Sequence, residues 1–130
     1  TAVVNFDDLN PATTASVIAK SDSGGFALEQ NAGSLRFGVH ANGSYHYASV
    51  PMTAFNGTDS YFIIGAYDGN GAVRLWVNNA ERTPSIAVTG GVTQNNSPVV
   101  IGADPQGATD RRFFFKGKVQ QVAVQKWRDH

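Results

Sequence analysis

Short runs of β-branched and aromatic residues, separated by clusters of Gly, Asn, Asp and Pro, recur along the whole chain. A spacing of about eight to twelve residues between such runs is typical of an all-β sandwich or barrel, and helical periodicity is hard to find. Tight-turn sequences between the runs predict antiparallel pairing. The predicted strands are residues 1–6, 16–20, 26–30, 34–40, 45–50, 61–67, 72–78, 85–88, 99–101, 113–115 and 118–126.

Length and charge narrow the class of protein. A chain of 130 residues suits a single domain, here predicted to span residues 1–130. Ten basic side chains balance ten acidic ones, which disfavours binding to nucleic acid, because such binding needs a surplus of Lys and Arg. The absence of Cys excludes disulfides and zinc-thiolate sites, and no apolar run predicts a membrane span. Because the chain opens on Thr1, we expect a processed or excised piece of a longer protein.

Asn42-Gly43 has the composition of a two-residue hairpin turn, in which both residues adopt positive φ. Such a turn fixes which residues lie opposite each other, so the two faces of the hairpin can be predicted. One face is mostly apolar, with the pairs Val39 and His46, Phe37 and Ala48, and Leu35 and Val50. The other face holds the pairs His40 and Tyr45, Gly38 and Tyr47, and Arg36 and Ser49.

A second hairpin is predicted around Gly69-Asn70. Its core face would hold the pairs Ala66 and Val73, Ile64 and Leu75, and Phe62 and Val77. Its outward face would hold Tyr67 and the pairs Gly65 and Arg74, Ile63 and Trp76, and Tyr61 and Asn78. In the last strand, Val119 and Val122 both have the character of core residues although they are three apart, which predicts a β-bulge near Gln120 and Gln121.

Four stretches of the chain resemble the laminin-G-like jelly rolls of the concanavalin A-like lectin/glucanase superfamily, in the same order and over about residues 1–127. They are residues 16–30 (SVIAKSDSGGFALEQ), 34–39 (SLRFGV), 60–79 with its YDGNGAVRLWVNN core, and 99–102 (VVIG) followed by 115–119 (FKGKV) and Val122. The resemblance implies a single antiparallel β-sandwich of jelly-roll topology, with about ten to twelve strands. It also implies a non-catalytic carbohydrate-binding or adhesion module of a secreted, bacterial protein.

The chain also departs from the family pattern. The Trp that usually precedes the central strand is replaced by Ser60 or Tyr61, and the usual Asp-Gly turn is Asn78-Asn79. Family members usually begin with one or two further strands before the segment that residues 1–6 resemble. Their absence predicts a trimmed sandwich without any metal ligand that those strands would supply.

The sequence contains few candidate residues for catalysis. The family's glucanases use closely spaced carboxylates on one strand, whereas the two Glu of this chain, Glu29 and Glu81, each stand alone. Of the three His, His40 and His46 are predicted on opposite faces and His130 is terminal, so a catalytic triad lacks its parts. We therefore predict a protein that is not an enzyme.

Calcium is the one cofactor that the sequence leaves open. Laminin-G-like domains often carry a calcium ion at the rim of the sandwich, and Asp59 and Asp104 lie at predicted strand ends, where carboxylates could be ligands. No D-x-D-x-D spacing is present, and turn capping explains each Asp as well. Asp104-Pro105 in particular predicts the start of a turn.

The outward faces of the two hairpins carry the remaining candidates, because sugars stack on Tyr and Trp while neighbouring polar groups bind their hydroxyls. The predicted ligand-binding residues are Arg36, His40, Tyr45, Tyr47, Tyr67, Arg74, Trp76 and Asn78. Three interpretations remain open: contact with a glycan, docking on a neighbouring protein domain, or covering by the chain's own loops, such as residues 89–97. The alternative function is a structural accessory domain that docks on a catalytic domain or mediates homo-oligomerisation.

Overall fold

The computed structural model describes residues 1–107 and 109–125 and contains two five-stranded antiparallel sheets that face each other. The strands are β1 (Ala2–Phe6), β2 (Ala15–Ala19), β3 (Phe26–Asn31), β4 (Ser34–Ala41), β5 (Ser44–Pro51), β6 (Tyr61–Ala66), β7 (Asn70–Gly71), β8 (Arg74–Val77), β9 (Ala80–Glu81), β10 (Val88–Thr89), β11 (Val100–Ile101), β12 (Asp104–Gln106), β13 (Asp110–Arg112) and β14 (Gly117–Gln120). A single 3₁₀ turn, Met52–Ala54, follows β5 in the described part of the chain.

Sheet I has the strand order β14-β1-β6-β8-β9, and sheet II has the order β11-β2-β3-β4-β5. The pairs β7/β10 and β12/β13 form two small additional ribbons. The predicted fold class, an all-β antiparallel sandwich of jelly-roll topology, is confirmed. The strand number exceeds the prediction because β7, β9, β12 and β13, which were not predicted, are only two or three residues long, too short to show a clear period-2 pattern.

The core lies between the inner faces of the two sheets. Along β1 the buried residues alternate with half-buried ones, as expected for a strand with one face in the core. Leu35 from sheet II and Ile63 and Leu75 from sheet I are almost completely buried. Burial of each such side chain contributes about 1.5–3 kcal/mol to folding. The ring of Phe37 lies against the inner side of Gly65, where a side chain would overlap it.

The first predicted hairpin is confirmed residue by residue. Asn42 and Gly43 have φ values of 51° and 89°, as a mirror-image two-residue turn requires. β4 and β5 pair in the predicted register, with Val39 opposite His46 and Gly38 opposite Tyr47.

The predicted faces of the second hairpin are wrong for β6. Ile63 pairs with Val77 and Ile64 with Trp76, one residue out of the predicted register. The reason is that residues 67–73 do not form a tight turn, since Asn70–Gly71 pairs instead with Val88–Thr89 of β10. As a result, the inner face of β6 carries Tyr61 and Ile63, and its outer face carries Phe62, Ile64 and Ala66, whereas β8 has the predicted faces.

Two predictions near the C-terminal part of the chain are also wrong. Asp104 and Pro105 do not start a turn, because they lie in β12 and pair with Arg112 and Arg111 of β13. The carboxylate of Asp104 is held by Arg112 across the ribbon rather than by a turn amide. Residues 113–115 are not a strand, and Phe113 has a φ of 55°.

The predicted β-bulge in the last strand is confirmed. Val3 pairs with Gln120, so an uninterrupted register would place Thr1 opposite Val122. Thr1 instead exchanges two backbone hydrogen bonds with Ala123, which leaves one extra residue on this strand, next to Gln121 with a φ of 51°. Val119 and Val122 therefore both pack against the core. Lys126, the predicted end of this strand, lies outside the described residues.

Candidate functional site

The outer face of sheet II brings together side chains from β3, β4 and β5. Arg36 pairs with Glu29 on one side and with Ser49 on the other, and Gly38 pairs with Tyr47. Because alternate residues of a strand point to the same face, Glu29, Arg36, Tyr45 and Tyr47 emerge together. We call these four residues the tyrosine face.

Arg36 is held between a carboxylate and an aromatic ring. Its Nε and Nη2 both donate to Oε1 of Glu29, over 3.1 Å each. Its Cζ lies 3.9 Å from the centre of the Tyr47 ring, within range of a cation–π interaction. The side chain of Glu29 is 10% exposed and that of Arg36 is 25% exposed, so this pair is largely shielded from water.

The rings of Tyr45 and Tyr47 lie nearly parallel to each other. Their ring centres are 6.2 Å apart and their planes differ by 20°. Gly38 makes room for this arrangement, because a Cβ atom there would overlap the Tyr47 ring. The Tyr45 hydroxyl donates to the Gly24 carbonyl over 2.9 Å and accepts from the Gly24 amide over 3.2 Å, which fixes its ring.

His40 lies at one end of the tyrosine face and contacts a loop of the chain itself. Its ring stands edge-on to Tyr45, with the centres 4.8 Å apart. Its Nδ1 lies 2.7 Å from Oγ1 of Thr93, and the Thr93 amide donates to the His40 carbonyl. The loop at residues 89–97, whose covering of an outward face is one of the three open interpretations, therefore contacts sheet II at the His40 end.

A second ion pair, Asp104 with Arg112, affects the pKa of Glu29 on the tyrosine face. Burial raises the pKa of the Glu29 carboxyl above its usual value, and the Arg36 guanidinium opposes this increase. The Asp104 carboxylate also raises the pKa of Glu29, and the Arg112 guanidinium lowers it. Burial likewise raises the pKa of the Tyr47 hydroxyl, against the effect of Arg36. Four charged groups thus act on one another across sheet II and the β12/β13 ribbon.

Asp104 and Asp59, the predicted metal ligands, both have protein partners. Oδ1 of Asp104 accepts a hydrogen bond from the Ser21 hydroxyl, and Oδ2 accepts one from Nε of Arg112 over 3.0 Å. Oδ2 of Asp59 accepts from Nδ2 of Asn56 in an exposed turn before β6. In residues 1–107 and 109–125, no three His, Cys, Asp or Glu side chains come together as a metal-binding group.

The outer face of sheet I carries a different set of side chains. Trp76 lies between Ile64 on β6 and Glu81 on β9, and Phe62 lies further along β6. Arg74 and Glu81 form an exposed ion pair of 2.7 Å. We call Phe62, Ile64, Arg74 and Trp76 the tryptophan face.

Not all of the predicted residues of this second surface lie on the tryptophan face. Asn78 caps the end of β6, accepting from the Phe62 amide over 2.8 Å, and has a φ of 50° in the turn to β9. Tyr67 packs against the core, and its hydroxyl donates to the Gly90 carbonyl over 2.6 Å. Its predicted position on the outward face that carries Trp76 is wrong, as is that of Tyr61, which is buried.

Glu29 and Arg112 were not among the predicted site residues. The position of Glu29 could have been predicted, because Asn31-Ala-Gly33 is a tight-turn sequence and the resulting register places Glu29 opposite Arg36. Arg112 had no such local signal, since the β12/β13 ribbon was not predicted.

An open cleft with a volume of 570 Å³ lies elsewhere, between the loop at residues 10–14 and the turn at residues 31–33. None of the predicted ligand-binding or metal-binding residues lines it. The cleft is therefore separate from both outer faces.

Comparison with known families agrees with the fold. A laminin G family model, described as the concanavalin A-like lectin/glucanases superfamily, matches residues 1–127. The chain belongs to this superfamily and is a lectin/glucanase-like β-sandwich module. No curated protein and no solved structure matches it. In the described part of the chain, no helix has the length and apolar character needed to cross a membrane.

Proposed function

We propose that this domain is a non-catalytic carbohydrate-binding module of a secreted bacterial protein and that it binds glycan on the tyrosine face. The observation that carries the proposal is the nearly parallel pair of rings, Tyr45 and Tyr47, beside Arg36, which Glu29 fixes in place. Family membership supports a lectin-like role as well.

The chemistry of the tyrosine face suits a sugar. Aromatic rings offer flat apolar area for the C–H side of a pyranose, and charged groups supply directional hydrogen bonds to hydroxyls. Arg36 uses only Oε1 of Glu29, and within the described part of the chain Oε2 accepts no hydrogen bond. Oε2 could accept a bond from a sugar hydroxyl, while the fixed rings lose little conformational entropy on binding.

The positions of the two glutamates support a role without catalysis. Glu29 lies on the outer face of sheet II, paired with Arg36, and Glu81 lies on the outer face of sheet I, paired with Arg74. Glycoside hydrolysis needs two carboxyl groups about 5–10 Å apart on either side of one bond. The two glutamates lie on opposite sides of the sandwich and do not provide that arrangement, and the Asp104 carboxylate that acts on Glu29 is occupied by Ser21 and Arg112.

A glycan array tests the proposal. The intact domain should bind at least one class of glycan, Tyr47→Ala should lose most of that signal, and Trp76→Ala should retain it. Because both variants remove one partly exposed aromatic ring, they are matched controls for each other. Absence of binding to any glycan, or loss only in Trp76→Ala, would contradict the proposal.

The tryptophan face favours a second candidate function, docking on a neighbouring domain or on another copy of the chain. The Phe62 residue is 39% exposed, and Ile64 and Trp76 beside it are half-buried. Adjacent apolar side chains on a surface are typical of protein contacts. If docking is the function, the intact domain should form a dimer on size-exclusion chromatography, and Phe62→Ser should return it to monomer.

A further inference from the structure

The loop at residues 21–24 links Arg112 to the tyrosine face. The amides of Asp22 and Gly24 donate to the Tyr45 hydroxyl, and Ser21 beside them contacts Asp104, the partner of Arg112. Nε of Arg112 donates to Asp104, and the carboxylate of Asp104 is fixed in turn by the Ser21 hydroxyl. Cζ of Arg112 lies 4.7 Å from the centre of the Phe113 ring. Contact with the ring on one side and with the carboxylate on another restrains the guanidinium plane.

The free end of Arg112 presents a fork of donors. Nε is used by Asp104, and among the described residues Nη1 and Nη2 donate to no protein acceptor. These two nitrogens form the end of a planar guanidinium, whose geometry matches the two oxygens of a carboxylate. Arg36 is different, because its Nε and Nη2 are both used by Glu29.

The cations lie further out than the anions in both ion pairs. The Asp104 side chain is 5% exposed, whereas that of Arg112 is 42% exposed. Glu29 and Arg36 follow the same order. A ligand that approaches from solvent therefore meets the guanidinium groups before the carboxylates, although the four charges sum to zero.

We propose that the glycan site extends from the tyrosine face to Arg112 and that it takes a uronic acid residue, whose carboxylate pairs with Nη1 and Nη2 of Arg112. This inference rests on the proposed function and specifies its ligand class. Asp104 and Ser21 then act as positioning residues for Arg112. In this role the Asp104 carboxylate binds the Arg112 guanidinium rather than a metal ion.

The test compares trimers of galacturonate and of mannuronate with their methyl esters, which keep the sugar shape but lack the charge. Calorimetry at low salt should show at least one acid form binding about tenfold more tightly than its ester, the scale expected of a charge-assisted bond. The preference should weaken with added salt, because Arg112 is partly exposed.

Variants of Arg112 and Arg74 distinguish an effect of the two Nη donors from an effect of positive charge alone. Arg112→Lys keeps a positive charge beside Asp104 but removes the fork, so the preference for the acid form should fall to about twofold or less. Arg74→Lys is the matched control, since Arg74 also pairs with a carboxylate but lies on the tryptophan face, and it should leave the preference unchanged. Thermal melting of both variants checks that each is folded.

Three results would overturn the inference in distinguishable ways. If the esters bind as tightly as the acids, or if Arg112→Lys keeps the full preference, the carboxylate fork is wrong. If neither acid binds but the array shows binding of neutral glycans, the ligand class is wrong and the proposed function stands. If no glycan binds at all, the inference and the proposed function both fail.

Discussion

The two outer faces of the sandwich both place aromatic rings beside an arginine–glutamate pair, but the groups around them differ. On the tyrosine face, Tyr45 is hydrogen-bonded to Gly24, and Arg36 is held between Glu29 and the Tyr47 ring. On the tryptophan face, the ion pair of Arg74 and Glu81 is more exposed, and the neighbours of Trp76 on β6 are apolar.

This difference indicates what each face can recognise. Fixed, directional donors and acceptors beside flat rings discriminate among hydroxyl-rich ligands, because a wrongly placed polar group leaves a bond unmade. Exposed apolar side chains favour a protein surface of complementary shape instead. The experiments below change one face or one hairpin at a time, so that each measures the difference between them.

The largest expected effect on stability comes from Gly65→Ala. The new methyl group would overlap the Phe37 ring, which packs against the core between the two sheets, so we expect a loss of about 1–3 kcal/mol. Gly38→Ala would overlap the Tyr47 ring on the outer face, where the ring can swing into solvent. We expect this variant to lose less stability but to weaken glycan binding.

Urea denaturation measures the free energy of unfolding of both glycine variants. Titration with glycan measures the binding affinity of Gly38→Ala. Gly91→Ala is the control, because its added methyl group meets open space and its φ lies outside the positive range. Equal stability losses in Gly65→Ala and Gly38→Ala would show that the Tyr47 ring is packed like a core residue. Unchanged glycan binding in Gly38→Ala would separate Tyr47 from the ligand.

A smaller effect should distinguish the two hairpin connections. Asn42 has a φ of 51°, so Asn42→Ala should lose about 1–2 kcal/mol, the cost of a left-handed conformation for an ordinary residue. Asn70 precedes a glycine as well but lies in β7 without a positive φ, and Asn70→Ala should change stability by less than about 0.5 kcal/mol. Thermal unfolding measures both, and Asn42→Gly should restore stability.

The smallest effect concerns the pH dependence of the Glu29 pair. Because burial raises the pKa of Glu29 in the folded state, the native protein holds this proton more tightly than the unfolded chain does. The stability that Glu29 contributes is therefore greatest below its unfolded pKa and falls as pH rises through the folded pKa. Glu29→Gln should remove this fall, so its stability relative to the original domain should increase between about pH 4 and pH 7.

Chemical denaturation at the two pH values measures this change. The matched control is Glu81→Gln, which removes the carboxylate of the exposed pair on the tryptophan face. A relative stability of Glu29→Gln that falls with rising pH would show that the Arg36 pairing outweighs burial at Glu29.

Local sequence could predict one hairpin and not the other. The β4/β5 register follows from Asn42-Gly43 alone, because the turn and both strands are contiguous. The β6/β8 register depends on β10, because Asn70–Gly71 pairs with β10 instead of forming the hairpin turn. The sequence of residues 61–78 does not indicate this pairing. The placement of Tyr45 and Tyr47 on one face was predictable for the same reason that their hairpin was.

The charged part of the site shows the same limit. The Glu29–Arg36 pair follows from a tight turn, whereas the Asp104–Arg112 pair depends on the β12/β13 ribbon, whose strand β12 packs beside β2 of sheet II. Asp104-Pro105 has the local chemistry of a turn, and only the arginine opposite it explains why a strand forms there. Contacts between distant segments therefore decided the features that sequence reasoning missed.

The most direct test of the account maps the glycan onto the structure. Backbone amide NMR shifts, recorded during titration with a glycan selected on the array, report which surface the ligand contacts. We expect the largest shifts on β3, β4 and β5, around Glu29, Arg36 and Tyr47. Shifts confined to Phe62, Ile64 and Trp76, or to the cleft at residues 10–14, would contradict it.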